Sequence, residues 1–181
     1  MQRLRMNLPN QLTVARLLLT FLFVGVLSID GIPYAGTIAL AVFSIAAYTD
    51  LLDGQIARKR NLITNFGKLM DPLADKVLMC AGFVMLCEQG YFPAWVVVLI
   101  LTREFLVTGL RLVASAEGIV LAAENLGKYK TTFQIIAVIY FLVVLATKEP
   151  TLAWFSPVLN WRGLGPHLLG TLLIWIALLL T

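Results

Sequence analysis

The chain has 181 residues, of which 60% are hydrophobic and 13% are charged, and its mean hydropathy is +0.88. Soluble domains have about 25% charged residues, so this composition excludes an ordinary water-soluble protein and predicts an integral membrane protein. The net charge of +4 comes without the basic and aromatic pattern of a nucleic-acid-binding protein. We therefore expect anionic headgroups or substrates as partners, and no nucleic acid.

Six segments, in chain order, approach the roughly 20 residues that a transmembrane helix needs. They are residues 12–29, 31–49, 67–87, 92–116, 131–147 and 163–181. The second, fifth and sixth contain no Asp, Glu, Lys or Arg, whereas the other three contain isolated charges. The hydrophilic segments are too short for a second domain. The sequence thus predicts an all-α polytopic membrane protein with six transmembrane helices, forming one domain over residues 1–181.

Basic residues outside the predicted spans fall mainly on one side of the membrane if six helices alternate in direction. They are Arg3, Arg5, Lys59, Arg60, Lys128 and Lys130. Because short cytoplasmic loops retain Lys and Arg, both termini and these loops are predicted to face the cytoplasm from the inner (cytoplasmic) membrane.

Residues 50–76 contain four aspartates within this apolar chain. Successive residues of a helix are about 100° apart, so five residues of this stretch lie within roughly 140° on one helix face. They are Asp50, Asp53, Gly54, Ala57 and Arg58. The next helix carries Gly67, Asp71 and Asp75 at a spacing of four, which also places them on one face. The spacing predicts two carboxylate-bearing faces that can meet.

Carboxylates at membrane depth cost several kcal/mol and therefore favour a functional interpretation. Four oxygen ligands without Cys or His suit Mg²⁺ or Mn²⁺ rather than zinc, and they could hold two ions. The small residues Gly54, Ala57 and Gly67 leave room for a flat or phosphate-bearing ligand beside the backbone. The alternative is that the aspartates lie near helix ends, where they are solvated or paired with nearby Lys and Arg.

The run Asp50-x-x-Asp53-Gly54-x-x-Ala57-Arg58, followed by Gly67-x-x-x-Asp71-x-x-x-Asp75, resembles the signature of the CDP-alcohol phosphotransferase family. The resemblance implies a six-helix membrane enzyme, usually a homodimer, that transfers a phosphatidyl or similar group from a CDP-linked donor to an alcohol and releases CMP.

The resemblance also implies roles for individual residues. The metal ligands would be Asp50, Asp53, Asp71 and Asp75, with Asp75 as the general base. The CDP-linked donor would be bound by Asp53, Gly54, Ala57, Arg58 and Gly67.

Three further stretches, residues 7–16, 103–111 and 127–134, resemble family members that use CDP-diacylglycerol as donor and sn-glycerol 3-phosphate as acceptor. Four cations could receive this dianion, since Arg suits bidentate phosphate contacts and Lys a point-charge contact. They are Arg103, Arg111, Lys128 and Lys130. Arg103 could instead pair with its helix neighbours, Glu104 could orient an arginine, and the two lysines could serve only as topological anchors.

Two other functions stay open at this point. Another member of the family could use inositol phosphate, serine or phosphatidylglycerol as the acceptor. A divalent-cation transporter could also place four aspartates in the membrane, although the repeated halves with interrupted helices that are common in transporters are not visible in the sequence.

Overall fold

The computed structural model describes the backbone of residues 8–60, 65–117, 125–155, 170, 172–173 and 175–176. Side chains are described for residues 11–49, 70, 73–111, 113–114, 117, 131–154 and the same positions between 170 and 176.

Within these residues every regular secondary-structure element is a helix, which confirms the predicted all-α class. The helices are α1 (Leu8–Ser28), α2 (Ala35–Arg60), α3 (Asn65–Glu88), α4 (Ala94–Ala116) and α5 (Asn125–Ala146). A single 3₁₀ turn, Ala153–Phe155, follows α5. Five of the six predicted segments thus correspond to helices.

The sixth predicted segment, residues 163–181, lies largely outside the described residues, but positions 170, 172–173 and 175–176 are helical. Two contacts connect it to the bundle. The Trp175 ring lies 6.4 Å from that of Trp95, and a Cβ added at Gly170 would collide with the ring of Phe141.

By length and composition, one helix in the described part of the chain qualifies as a membrane span, over Gln11–Ser28. Ala35–Thr49 and Thr131–Ala146 form shorter apolar helices. The prediction of six spans is therefore not confirmed by these helices and stays a prediction.

The core forms where α1 packs against α2 and α3, and where α5 closes over α2 and α3. Four fully buried aromatic side chains fill it: Phe23, Phe43, Phe83 and Phe141. The rings of Phe23 and Phe43 lie 5.5 Å apart, and Phe141 lies 5.8 Å from Phe92, within the range of favourable aromatic pairs. Large apolar residues on the outer face of α4 stay exposed, including Phe105, Leu106 and Leu110.

Glu149, just beyond α5, caps the start of α2. Its carboxylate accepts hydrogen bonds from the backbone N–H of Gly36 at 2.6 Å and of Thr37 at 3.0 Å, and from the Thr37 hydroxyl at 2.5 Å. The first N–H groups of a helix have no partner within the helix, and a negative charge there is favourable. This Glu149 clamp therefore fixes α2 against the end of α5.

Candidate active site

The aspartate motif occupies the hairpin of α2 and α3. Asp50 lies ten residues before the end of α2, and Asp75 lies ten residues after the start of α3. At 1.5 Å per residue, each lies about 15 Å along its own helix from the connection at residues 61–64, so two helices that run antiparallel from this connection carry both aspartates at the same height. α2 and α3 contact one another, and the meeting of their carboxylate-bearing faces stays a prediction.

The structure places the remaining motif positions in regular helix. Asp53, Gly54, Ala57 and Arg58 lie in the last two turns of α2, while Gly67 and Asp71 lie in the first two turns of α3. The side chains of Asp50 and of these six residues lie outside the described residues. Among the described side chains no group of three or more His, Cys, Asp or Glu residues is close enough to hold a metal ion.

Asp75, whose side chain is described, is partly buried on α3. The next residue, Lys76, sends its ammonium group to the Thr108 hydroxyl on α4. Thr108 in turn donates to the backbone carbonyl of Glu104 at 2.8 Å. Lys76 thus links α3 to α4 at the height of Asp75.

Glu104 is the centre of a polar cluster that joins α4 to α5. Its Oε1 atom lies 3.5 Å from the Arg103 guanidinium and accepts a hydrogen bond from Gln134 Nε2 at 3.3 Å. The interpretation of Glu104 as a residue that orients an arginine agrees with this geometry. Arg103 thus pairs with its helix neighbour, which is the alternative raised for it in the sequence analysis. Its side chain is 35% exposed.

The other predicted acceptor cations are less fully described. Arg111 is exposed, and it lies within about 20° of the direction of Glu104 around α4 because the two residues are seven apart. Lys128 and Lys130 lie in the first turns of α5, and their side chains fall outside the described residues. The structure therefore brings Arg103 and Arg111 to one helix but leaves the convergence of all four cations untested.

A buried polar stripe on α1 was not assigned a role by sequence reasoning. Thr13, Arg16 and Thr20 are each at most 2% exposed, and the equally buried Phe23 continues the stripe. Counted from the α1–α2 turn, Thr13 lies level with Asp50 and Arg16 one turn deeper. A guanidinium is rarely buried so completely unless polar or anionic groups surround it. The sequence signal was a charge at three- and four-residue spacing from threonines inside an apolar segment.

These features define the class of protein. It is an apolar helical bundle in which charged and polar side chains lie at the height of the aspartates on α2 and α3. The chain belongs to the CDP-alcohol phosphatidyltransferase family, whose sequence pattern matches residues 6–181. The family resemblance carried by the aspartate motif is thereby confirmed.

Individual relatives share much of their length with the chain. It is 48% identical over 143 residues to a CDP-diacylglycerol–glycerol-3-phosphate 3-phosphatidyltransferase of Bacillus subtilis, covering 73% of the chain and 74% of the relative. A protein of the same name from Rickettsia bellii is 35% identical over 175 residues, or 97% of the chain and 89% of the relative. A probable phosphatidylglycerophosphate synthase of Mycobacterium tuberculosis is 40% identical over 142 residues, covering 77% and 68% respectively.

Proposed function

We propose that the chain transfers the phosphatidyl group of CDP-diacylglycerol to sn-glycerol 3-phosphate, giving phosphatidylglycerophosphate and CMP. The observation that carries this proposal is the similarity to relatives named for this reaction, which extends over 97% of the chain in the Rickettsia bellii protein. The helix bounds also support it, because Asp50 and Asp75 each lie ten residues from the α2–α3 connection and could therefore reach one site.

The four aspartates offer only carboxylate oxygens, which suit a hard divalent cation. Asp75, the one of the four whose side chain is described, is partly buried at the height of Asp50. We propose that four aspartates hold Mg²⁺ or Mn²⁺, with room for two ions: Asp50, Asp53, Asp71 and Asp75. When bound, the metal neutralises charge on the pyrophosphate of the donor and on the departing CMP.

Chain residues would then perform the remaining steps. The acceptor's primary hydroxyl oxygen attacks the β-phosphorus, the bond from this phosphorus to the bridging oxygen breaks, and CMP leaves with that oxygen. Asp75 accepts the proton of the attacking hydroxyl. Arg58 would contact donor phosphate, while Gly54, Ala57 and Gly67 would leave space for the cytidine nucleotide.

The phosphate of the acceptor would be bound by cations on α4 and at the start of α5. Arg103 is partly accessible and Arg111 is exposed on the chain alone, so the described part of the bundle covers neither of them completely. Arg forms paired, charge-assisted hydrogen bonds to phosphate oxygens. Lys128 and Lys130 would add charge from α5.

We further propose a six-span protein of the inner membrane whose active site faces the cytoplasm, as the distribution of Lys and Arg supports. The lipid-tailed donor would enter from the bilayer and the acceptor from the cytosol. The family resemblance supports a homodimer.

The acceptor is tested by an acceptor panel with purified protein in detergent micelles. CMP release from CDP-diacylglycerol is measured with glycerol 3-phosphate, inositol phosphate, serine and phosphatidylglycerol, each with Mg²⁺ and with EDTA. We expect Mg²⁺-dependent release with glycerol 3-phosphate at a rate at least about tenfold above the others, because an alcohol that leaves polar groups of the site unpaired is rejected strongly. Faster release with another alcohol would replace the proposed acceptor. Metal transport into proteoliposomes without CMP release would instead identify a cation transporter.

A further inference from the structure

A buried amide on α5 contacts the same carboxylate oxygen as the arginine proposed to bind the acceptor. Gln134 is 3% exposed, and its Nε2 atom donates to Glu104 Oε1 at 3.3 Å. Arg103 reaches the same Oε1 atom at 3.5 Å. One carboxylate oxygen thus connects a fully enclosed neutral donor with a partly exposed cation.

Glu104 and Arg103 are adjacent on α4, so their side chains leave the helix about 100° apart. Such neighbours do not face one another in a regular helix. Because the two directions diverge, the pair forms only when one or both of these side chains turn towards the other. The hydrogen bond from Gln134, which comes from outside α4, restricts the orientation of the Glu104 carboxylate.

The exposed fractions of the three side chains indicate which of them a substrate can contact. Gln134 at 3% is closed to substrate, Glu104 is 20% exposed, and Arg103 is 35% exposed. Only Arg103 of the three is a cation that a phosphate can approach. The described contacts of Gln134 lead through Glu104 to Arg103, which is one of the proposed acceptor-binding cations.

We propose that Gln134 is a positioning residue that sets the affinity for the acceptor by orienting Glu104, which in turn holds the Arg103 guanidinium ready for the acceptor's phosphate. This inference rests on the proposed function, because it assumes that Arg103 binds that phosphate. It adds a buried residue of α5 that does not itself touch substrate.

The test is a double-mutant cycle with the full chain in detergent micelles. Gln134→Leu keeps a similar side-chain volume but removes the amide that donates the hydrogen bond to Glu104. Arg103→Ala removes the cation that is proposed to bind the acceptor's phosphate. Gln134→Leu is expected to raise the KM for glycerol 3-phosphate about five- to tenfold, with kcat and the KM for CDP-diacylglycerol changed less than about twofold. In the Arg103→Ala background the same substitution should change the acceptor KM by less than about twofold.

Thr147→Val, one residue beyond the end of α5, is the control substitution, because the Thr147 hydroxyl donates a local hydrogen bond to the carbonyl of Val144 at 2.8 Å. It should leave both KM values unchanged. If Gln134→Leu fails to fold, Glu104→Gln, which keeps the shape and removes the charge, runs through the same cycle with the same expectation.

The inference would be overturned if Gln134→Leu, or Glu104→Gln, raised the acceptor KM by the same factor with and without Arg103. It would also be overturned if the KM values for donor and acceptor rose together. Wild-type turnover separates this failure from that of the proposed function. Turnover with glycerol 3-phosphate but independent effects rejects only the positioning role, whereas no wild-type turnover with glycerol 3-phosphate rejects both.

Discussion

Removal of the Glu149 clamp is expected to destabilise the bundle measurably. Glu149→Ala removes the acceptor of two backbone N–H groups at the start of α2 and of the Thr37 hydroxyl. Loss of a helix cap costs about 0.5–2 kcal/mol, and hydrogen bonds to charged groups contribute about 1.5–3 kcal/mol each. Water replaces part of these interactions because the site is only partly buried, so we expect a loss of about 2 kcal/mol.

For a chain of this size, 1 kcal/mol corresponds to a change in Tm of about 2–4 °C, so Glu149→Ala should lower Tm by about 4–8 °C. Glu149→Gln keeps one carbonyl oxygen as acceptor and should lose about half as much. Thermal unfolding in detergent micelles can be followed with a thiol-reactive fluorogenic dye, since Cys80 and Cys87 on α3 are free and only partly exposed. One heating rate is used throughout, because unfolding of such proteins is often irreversible.

Asp30→Ala is the matched control, as Asp30 is an exposed carboxylate in the turn between α1 and α2. Its Tm should stay within about 1 °C of wild type, as for most surface substitutions. A Glu149→Ala protein that also melts within about 1 °C of wild type would refute the stabilising role of the clamp.

Three further predictions concern packing and substrate binding. Gly82→Ala should lower stability by about 1–3 kcal/mol in the same melting assay, because a Cβ there would lie 3.0 Å from Val138 and 3.1 Å from Phe43; a Tm equal to wild type would contradict this. Gly67→Leu should weaken binding of CDP-diacylglycerol by filling the proposed nucleotide space, and unchanged donor affinity would place the nucleotide elsewhere. Arg111→Ala should raise the KM for glycerol 3-phosphate about 10- to 150-fold with little change for the donor, whereas equal changes for both substrates would argue against phosphate binding by Arg111.

The helices were largely predictable from the sequence because long apolar runs are a strong and local signal. Hydropathy alone ended the second segment at Thr49, yet α2 continues to Arg60. The three- and four-residue spacing within the aspartate motif indicated this helical continuation, and the common height of Asp50 and Asp75 follows from the helix bounds. The motif and its family were thus accessible before the structure.

The contacts between distant helices were not predictable in the same way. Gln134 and Glu104 are 30 residues apart, and Glu149 and Thr37 are 112 apart. Each pairing depends on how two helices are rotated about their axes, which a single sequence does not specify. Burial of Arg16 depends likewise on the packing of α1 against α2 and α3, whereas hydropathy registers it only as an isolated charge.

The central claim is tested most directly by product formation from labelled glycerol 3-phosphate. Purified protein is incubated with CDP-diacylglycerol, Mg²⁺ and ¹⁴C-glycerol 3-phosphate, and label in the lipid extract is compared with CMP released, with Asp75→Asn as the matched variant. The account predicts one labelled phosphatidylglycerophosphate per CMP for wild type and almost none for Asp75→Asn. CMP release without label in the lipid, or wild-type levels of labelled lipid from Asp75→Asn, would contradict it.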